Sequence, residues 1–296
     1  MAVRTPLERT ENLLIGSTLV LMAVVTLQPM LNLLAISLSD PEQIVGMGGL
    51  TIIPRGFSTG VWELLLTHPS VLTGIANSAI ITLGGTVLNV LFTALMAWAL
   101  ARKSLPGRRL IFILVLITIV FTPGIIPDYL LNKRLGLLNT YWSVIFYHLV
   151  DAWYLIILVR FFEEVPEELL EAAELDGANA FQTFWHVALP LALPALATIT
   201  LFYFVFHWNE FFRAMIYLND QTKWPLQVVL RQFVVEGDKL AIVGVTNSNN
   251  YTGASQISAR ALNAGMVLLT IVPILAIYPL ILRFFTRGAL AGAVKG

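Results

Sequence analysis

The sequence contains no cysteine and few charged residues. Without thiols the chain forms no disulfide, no thiolate metal site and no cysteine nucleophile. Charged residues make up 12% of its 296 residues and hydrophobic residues 57%, and the mean hydropathy is +0.78. A soluble domain carries about a quarter charged residues. The composition therefore predicts an all-α integral membrane protein.

The motifs of the common catalytic and nucleotide-binding sites are also missing from the sequence. There is no G-x-x-x-x-G-K-[ST] run to hold the phosphates of ATP, and neither H-E-x-x-H nor G-x-S-x-G occurs. The 4 histidines are scattered, and the 18 basic and 18 acidic residues balance without a basic run that would indicate nucleic acid. We expect no catalytic residue, no metal site and no cofactor bound by this chain.

Long apolar runs are abundant. A bilayer core takes about 20 apolar residues per helix, and the runs predict six transmembrane helices. They cover about 12–38, 71–101, 108–131, 141–162, 191–216 and 262–286. The first run is too long for the apolar part of a cleaved signal peptide. In the third, Pro123, Gly124 and Pro127 interrupt the helical hydrogen bonds, so neighbouring helices must cover the break.

Basic residues predict the orientation of these spans. They precede the first span, follow the last and lie between the second and third, at Arg4, Arg9, Arg102, Lys103, Arg108, Arg109, Arg283, Arg287 and Lys295. Positive residues favour the cytoplasmic side, so both termini and the loop 163–190 are predicted to be cytoplasmic. Segment 217–261 is then extracytoplasmic. No internal repeat occurs, and 1–296 is predicted to be one membrane domain with a cytoplasmic tail at 287–296.

The loop 163–190 carries the signals of two short helices. Pro166 suits a first helical position, Glu167 and Glu168 suit the positive end of the helix dipole, and Gly177 ends the first helix. Asn179 can cap a second helix. Its apolar residues then recur at helical spacing and predict one stripe along one side, formed by Phe181, Phe184, Trp185 and Ala188. A solvated acidic face with aromatics on the membrane surface is the alternative.

The spacing in this loop favours a functional interpretation. Glu171-Ala172-Ala173 is followed after three residues by Gly177 and after nine more by Val187-x-Leu189-Pro190. This pattern resembles the "EAA…G…I-x-L-P" loop of ATP-binding-cassette (ABC) importer permeases, with Val187 in place of the usual isoleucine. The resemblance implies the type I ABC importer permease fold. It also implies that Glu171 pairs with a basic residue of a cytoplasmic ATPase, that Ala172 and Ala173 allow close approach and that Gly177 makes the turn.

Further segments narrow the resemblance to carbohydrate importers. "RGALAGAVKG" resembles the C-terminal tail of the shorter permease of maltose-type systems, which implies that Lys295 and Gly296 reach between two ATPase subunits. "GLLNTYW" (136–142) and "WPLQVVLR" (224–231) resemble the second permease of oligosaccharide importers, including those for aldouronate and alginate. The implied partners are a second permease, two identical ATPases that bind ATP and Mg²⁺, an extracytoplasmic solute-binding protein and an oligosaccharide. The implied location is the bacterial inner membrane.

Polar residues inside the predicted spans are candidates for the substrate pathway, because an ionised side chain at mid-membrane costs about 2.5–3.5 kcal/mol. They are Asp151, His207, Trp208, Asn209 and Glu210. Glu210 and Arg213, three residues apart, are expected to pair with each other. In the maltose importer the sugar contacts within the membrane belong to the other permease.

The outer segment resembles in position the maltose-type loop that reaches into the binding protein. Its contact candidates are Asn247, Asn249, Asn250 and Tyr251, and an unconstrained surface loop is the alternative.

Three other functions compete. A permease of the same superfamily for another solute, such as amino acids or phosphate, fits the same loop. A secondary transporter would show inverted repeats and ionisable groups clustered at mid-membrane, and neither is clear in this sequence. For a membrane enzyme, the sequence offers no H-E-x-x-H, no G-x-S-x-G and no cysteine, and its 4 histidines are scattered.

Overall fold

The structure is a computed structural model that describes the backbone of residues 6–234 and 258–293 and the side chains of residues 11–232 and 258–279. The predicted binding-protein contacts Asn247, Asn249, Asn250 and Tyr251 lie outside the described residues. So do Lys295 and Gly296.

Most of the described residues are helical. The helices are α1 (Pro6–Ser37), α2 (Gly60–Thr67), α3 (Pro69–Ala101), α4 (Arg108–Val120), α5 (Ile125–Arg134), α6 (Tyr141–Ile145), α7 (Ala152–Glu163), α8 (Glu167–Leu175), α9 (Ala180–Thr183), α10 (Leu189–Leu191), α11 (Leu193–Trp208), α12 (Phe212–Tyr217), α13 (Leu226–Val234) and α14 (Ala259–Ala293). A π-helical turn, Phe184–Ala188, joins α9 to α10, and short 3₁₀ turns cover Ile44–Gly46, Phe146–His148 and Gln221–Lys223. Within the described ranges the β-structure is one isolated bridge between Ser39 and Phe57.

Three helical segments are long and apolar enough to cross a membrane: Glu11–Ser37, Pro69–Ala101 and Ala259–Pro279. Two further candidates are bent pairs, Tyr141–His148 with Ala152–Glu163 at 52° and Ala180–Leu191 with Leu193–Trp208 at 84°. The described residues thus contain three to five spans by length and composition.

The third predicted span is split in two. α4 ends at Val120, Phe121–Gly124 is not helical, and Gly124 has φ +83, a left-handed value that glycine adopts readily. The predicted interruption is confirmed. Because 13 helical residues cover only about 20 Å of a roughly 30 Å hydrocarbon core, α4 alone does not span the membrane. Six spans and cytoplasmic termini therefore stay predictions.

The chain divides into two compact units, one formed by Met1–Leu72 with Leu230–Val272 and the other by Thr73–Val229 with Pro273–Gly296. A single membrane domain over 1–296 stays a prediction.

In the first unit, the connection after α1 is held by hydrogen bonds to helix side chains. Asn32 Nδ2 donates to the carbonyls of Gly48 (3.1 Å) and Thr51 (2.6 Å). The Arg260 guanidinium donates to the Met47 carbonyl at 2.8 Å. These bonds fix the connection to α1 and α14.

In the second unit, α3 holds the segment that leads into α13. Asn77 Nδ2 donates to the carbonyls of Thr222 (2.8 Å) and Trp224 (3.0 Å), and Ser78 Oγ accepts from the amide of Leu226 at 2.8 Å. At the start of this segment the hydroxyl and amide of Thr222 donate to Asp220, which lowers the pKa of that carboxyl. Polar side chains at one end of α3 therefore order the segment 220–226.

The middle of α3 packs closely on α11. A Cβ added at Gly85 would lie 2.5 Å from Nε2 of His207, which is buried, whereas a Cβ at the adjacent Gly84 would lie 3.9 Å from Ile145 Cδ1. Glycine is therefore required at position 85 by packing, and position 84 has room.

We expect Gly85→Ala to lower the melting temperature of the purified protein. Alanine gains about 1 kcal/mol of helix propensity, but overpacking against His207 costs about 1–3 kcal/mol. Gly84→Ala is the matched control, and it gains the same propensity without the clash, so its melting temperature should stay the same or rise. Equal melting temperatures for the two variants would contradict the packing described for Gly85.

Candidate functional site

Local backbone chemistry shapes the first half of the 163–190 hairpin. α8 starts at Glu167, so Pro166 lies at the N-cap and not at the predicted first helical position. It ends in a turn at Gly177, whose φ is +80. The amide of Ala178 donates to the Ala173 carbonyl (2.9 Å) and that of Gly177 to the Glu174 carbonyl (3.0 Å). This is the bond pattern of a Schellman motif, so the predicted end of the helix is confirmed.

The second half of the hairpin begins with a capping box. Asn179 Oδ1 accepts from the amides of Phe181 (3.1 Å) and Gln182 (2.9 Å), and Gln182 Oε1 accepts from the amide of Asn179 (2.8 Å). Such reciprocal bonds satisfy amides that the first helical turn leaves free. The predicted cap is confirmed.

The predicted single apolar stripe is wrong, because its four residues lie on two sides. Phe184 and Ala188 are buried, with Phe184 only 1% exposed, whereas Phe181 is 63% exposed and Trp185 is exposed too. Residues four apart share a helix face, so 184 pairs with 188 and 181 with 185. The π-helical turn 184–188 also departs from the α-helical spacing on which the prediction rests.

The inward face joins the hairpin to two of the long helices. The ring of Phe184 lies 6.2 Å from that of Trp98 in α3 and 6.2 Å from that of Phe162 in α7, and the last two rings lie 5.6 Å apart. All three side chains are buried, and Leu170 of α8 packs against the same cluster. We call Trp98, Phe162 and Phe184 the aromatic anchor.

Exposed carboxylates of α8 line a cavity next to the aromatic anchor. Glu171 is exposed and, with Glu167 and Glu174, lines a cavity of about 430 Å³. Its other lining residues include Arg102, Lys103 and Leu170, and Trp98 and Phe162 of the aromatic anchor. A basic side chain of a partner protein can therefore approach Glu171, next to acidic and basic side chains that already line the cavity.

The other residues of the motif differ in exposure. Ala173, Val187 and Leu189 are half-buried, and Ala172, Gly177 and Pro190 are exposed.

Asp151 and His207, two of the pathway candidates, belong to one polar network, in which His207 is buried and Asp151 half-buried. Asp151 caps α7 by accepting from the amides of Trp153 (2.9 Å) and Tyr154 (3.2 Å), and it lies 3.5 Å from His148 Nδ1. Nε2 of the buried His207 lies 3.4 Å from Asn89 Oδ1.

The remaining pathway candidates lie at and just after the end of α11. Trp208 is buried and stacks on Phe204, and Asn209 is exposed and donates to the Val205 carbonyl at 2.8 Å. Glu210 pairs with Arg213 at 2.9 Å, so that prediction is confirmed.

Sequence reasoning missed the residues that complete the network. Asn89, fully buried in α3, donates to the His148 carbonyl at 2.6 Å. The Tyr203 hydroxyl lies 2.8 Å from Thr93 Oγ1 and accepts from the amide of Asp151 at 2.9 Å. The sequence signal that could have identified Asn89 was its polar side chain inside a predicted span. Within the part of the chain that the structure describes, no three His, Asp or Glu side chains are grouped to hold a metal.

Comparison with known proteins identifies the family. Residues 53–287 match the family described as "Binding-protein-dependent transport system inner membrane component". The chain belongs to this family. It is therefore an inner-membrane component of a transport system that works with a binding protein, and it has the permease fold of ABC importers.

Several members of the family are similar over nearly the whole chain. Protein LplC of Bacillus subtilis is 37% identical and the alignment covers 92% of this chain and 90% of LplC. The polygalacturonan/rhamnogalacturonan transport system permease protein YtcP of the same organism is 35% identical over 97% of this chain and 99% of YtcP. A solved structure of a bacterial ABC transporter involved in import of the acidic polysaccharide alginate contains a chain that is 28% identical, with a TM-score of 0.85 and coverage of 96% and 100%.

Proposed function

We propose that this permease is one of two permease subunits of an ATP-driven importer of oligosaccharides, including acidic ones. The support for the solute class is that similar proteins are named for polygalacturonan and for alginate. The other partners are two ABC ATPases and an extracytoplasmic solute-binding protein.

ATP and Mg²⁺ bind to the ATPase subunits, since this sequence has no phosphate-binding loop. Shifting the ratio of outward-facing to inward-facing permease from 1:99 to 99:1 requires a free-energy bias of about 5.5 kcal/mol. ATP-driven closure of the ATPases supplies this bias, and the permease needs a surface through which to receive it.

The 163–190 hairpin is that surface. Its exposed carboxylate and its buried aromatic contact support the proposal. Glu171, which is exposed, pairs with a basic residue of the ATPase. On the inward face, Leu170 and the aromatic anchor pass the displacement of α8 to α3 and α7. The bend between α10 and α11 lies directly after the hairpin, so α11 follows its movement.

Other contacts in the assembly follow from the resemblance. The tail 287–296, with Lys295 and Gly296, reaches between the ATPases, and Asn247, Asn249, Asn250 and Tyr251 face the binding protein. Asp151, His207, Trp208, Asn209 and Glu210 remain candidates for the solute pathway. Asp151, His207 and Glu210 are already engaged within the chain, so their substitution would disturb packing as well as transport.

Glu171→Gln, which removes the charge and keeps the shape, should lower ATP-driven uptake about ten- to hundredfold. A charge-assisted hydrogen bond contributes about 1.5–3 kcal/mol, and 1.4 kcal/mol is tenfold. Uptake into vesicles containing the assembled transporter measures this. Glu168→Gln on the same helix, exposed and not lining the cavity, should stay near the wild-type rate. Undiminished uptake by the Glu171 variant would refute the coupling role.

The solute class is tested with the purified transporter and its binding protein. We expect uronate oligosaccharides to stimulate ATP hydrolysis severalfold, because two of the similar proteins are named for acidic polysaccharides. Neutral oligosaccharides serve as the comparison. The measurement is phosphate release at saturating ATP. Stimulation by amino acids alone would contradict the sugar assignment and favour a permease for another solute class.

A further inference from the structure

Glu163 occupies the junction between α7 and the 163–190 hairpin, and both of its carboxylate oxygens are bound. Oε1 pairs with Nη2 of Arg108, and Oε2 pairs with Nη1 of Arg160 at 2.8 Å. The two pairs differ in exposure. The side chains of Glu163 and Arg108 are 17% and 29% exposed, whereas that of Arg160 is 75% exposed. Water and salt screen the Arg160 pair far more strongly than the Arg108 pair.

Arg108 connects three helices through one guanidinium. It is the first residue of α4, its Nε donates to the Leu100 carbonyl at 2.7 Å near the end of α3, and Nη2 reaches Glu163 at the end of α7. Its Cζ lies 4.9 Å from the ring centre of Phe112. A lysine ammonium cannot reproduce this planar arrangement of donors.

The ion pair lies beside the aromatic anchor. Phe162 of the anchor directly precedes Glu163, and Trp98 precedes Leu100 by two residues. Glu163 also lines the same cavity as Glu171. The aromatic anchor connects the hairpin to α3 and α7. The Arg108–Glu163 ion pair connects α4 to the same junction.

We propose that Arg108 is a positioning residue that makes α4 move together with the hairpin when the ATPases close. This rests on the proposed function, because it assumes that the hairpin receives the movement. Without the ion pair, the hairpin moves with α7 while α4 lags behind, so ATP is hydrolysed with less transport. Arg108 acts through Glu163 and touches neither ATP nor the solute.

The first test is the number of solute molecules imported per ATP hydrolysed by the full transporter in vesicles. Arg108→Gln and Glu163→Gln should each lower this ratio at least fivefold, and the double variant should be no worse than either single variant. Arg108→Lys should recover part of the loss, because it restores the charge but not both bonds. Arg160→Gln, which removes the exposed partner of the same carboxylate, is the matched control and should stay within twofold of wild type.

Additive losses in the double variant, or an equal loss in Arg160→Gln and Arg108→Gln, would overturn the proposal. Either result would mean that the Arg108–Glu163 pair does not act as a unit in coupling.

A distance measurement separates this proposal from the choice of solute. The chain has no cysteine, so Arg109→Cys and Asp176→Cys, both exposed positions, place two spin labels at the start of α4 and the end of α8. In the assembled transporter the distance distribution should be equally narrow with and without ATP, and Arg108→Gln should broaden it at least twofold. An unchanged distribution in the variant would overturn the proposal even if the solute is not a sugar.

Discussion

The packing of Phe184 against Trp98 and Phe162 is the contact on which the proposed coupling depends. Fully burying a phenylalanine contributes about 1.5–3 kcal/mol, and a favourable aromatic pair adds about 0.5–1.5 kcal/mol. These rings come from α3, α7 and the π-helical turn, and they give the hairpin a fixed inner face. Glu171 and its neighbouring carboxylates remain exposed beside this packed contact. Without this packed aromatic contact, the hairpin could bind an ATPase but could not transmit the movement of the ATPase to α3 and α7.

The breaks in the other helices depend on the hydrogen-bonding needs of the backbone. Helix breaks at membrane depth persist only where protein or water satisfies the freed backbone groups. At the break before α7, Asp151 caps the helix and the Tyr203 hydroxyl accepts from the Asp151 amide. Asn89 donates to the His148 carbonyl on the other side of that break. Asp151, one of the residues of the predicted pathway, thus already helps to hold a bent pair of helices, which is separate from any contact with solute.

Sequence reasoning succeeded where structure is set by residues close together in the chain. The end of α8 at Gly177, the Asn179 cap, the Glu210–Arg213 pair and the break near Gly124 all depend on neighbours within a few residues. It failed where the partner is distant. Whether Phe184 or Phe181 faces inward depends on Trp98 and Phe162, and the role of Asn89 depends on a carbonyl 59 residues away. The motif identified the hairpin, but local spacing alone could not assign its two faces.

The most direct test of the account compares two adjacent phenylalanines of α7 in the assembled transporter. Phe162 is buried in the aromatic anchor, whereas Phe161 is 42% exposed. The measurement is solute imported per ATP hydrolysed, because this ratio is normalised to the amount of working ATPase. We expect Phe162→Leu to lower the ratio severalfold and Phe161→Leu to leave it unchanged. An unchanged ratio in Phe162→Leu would contradict the claim that the anchor transmits the movement of the hairpin.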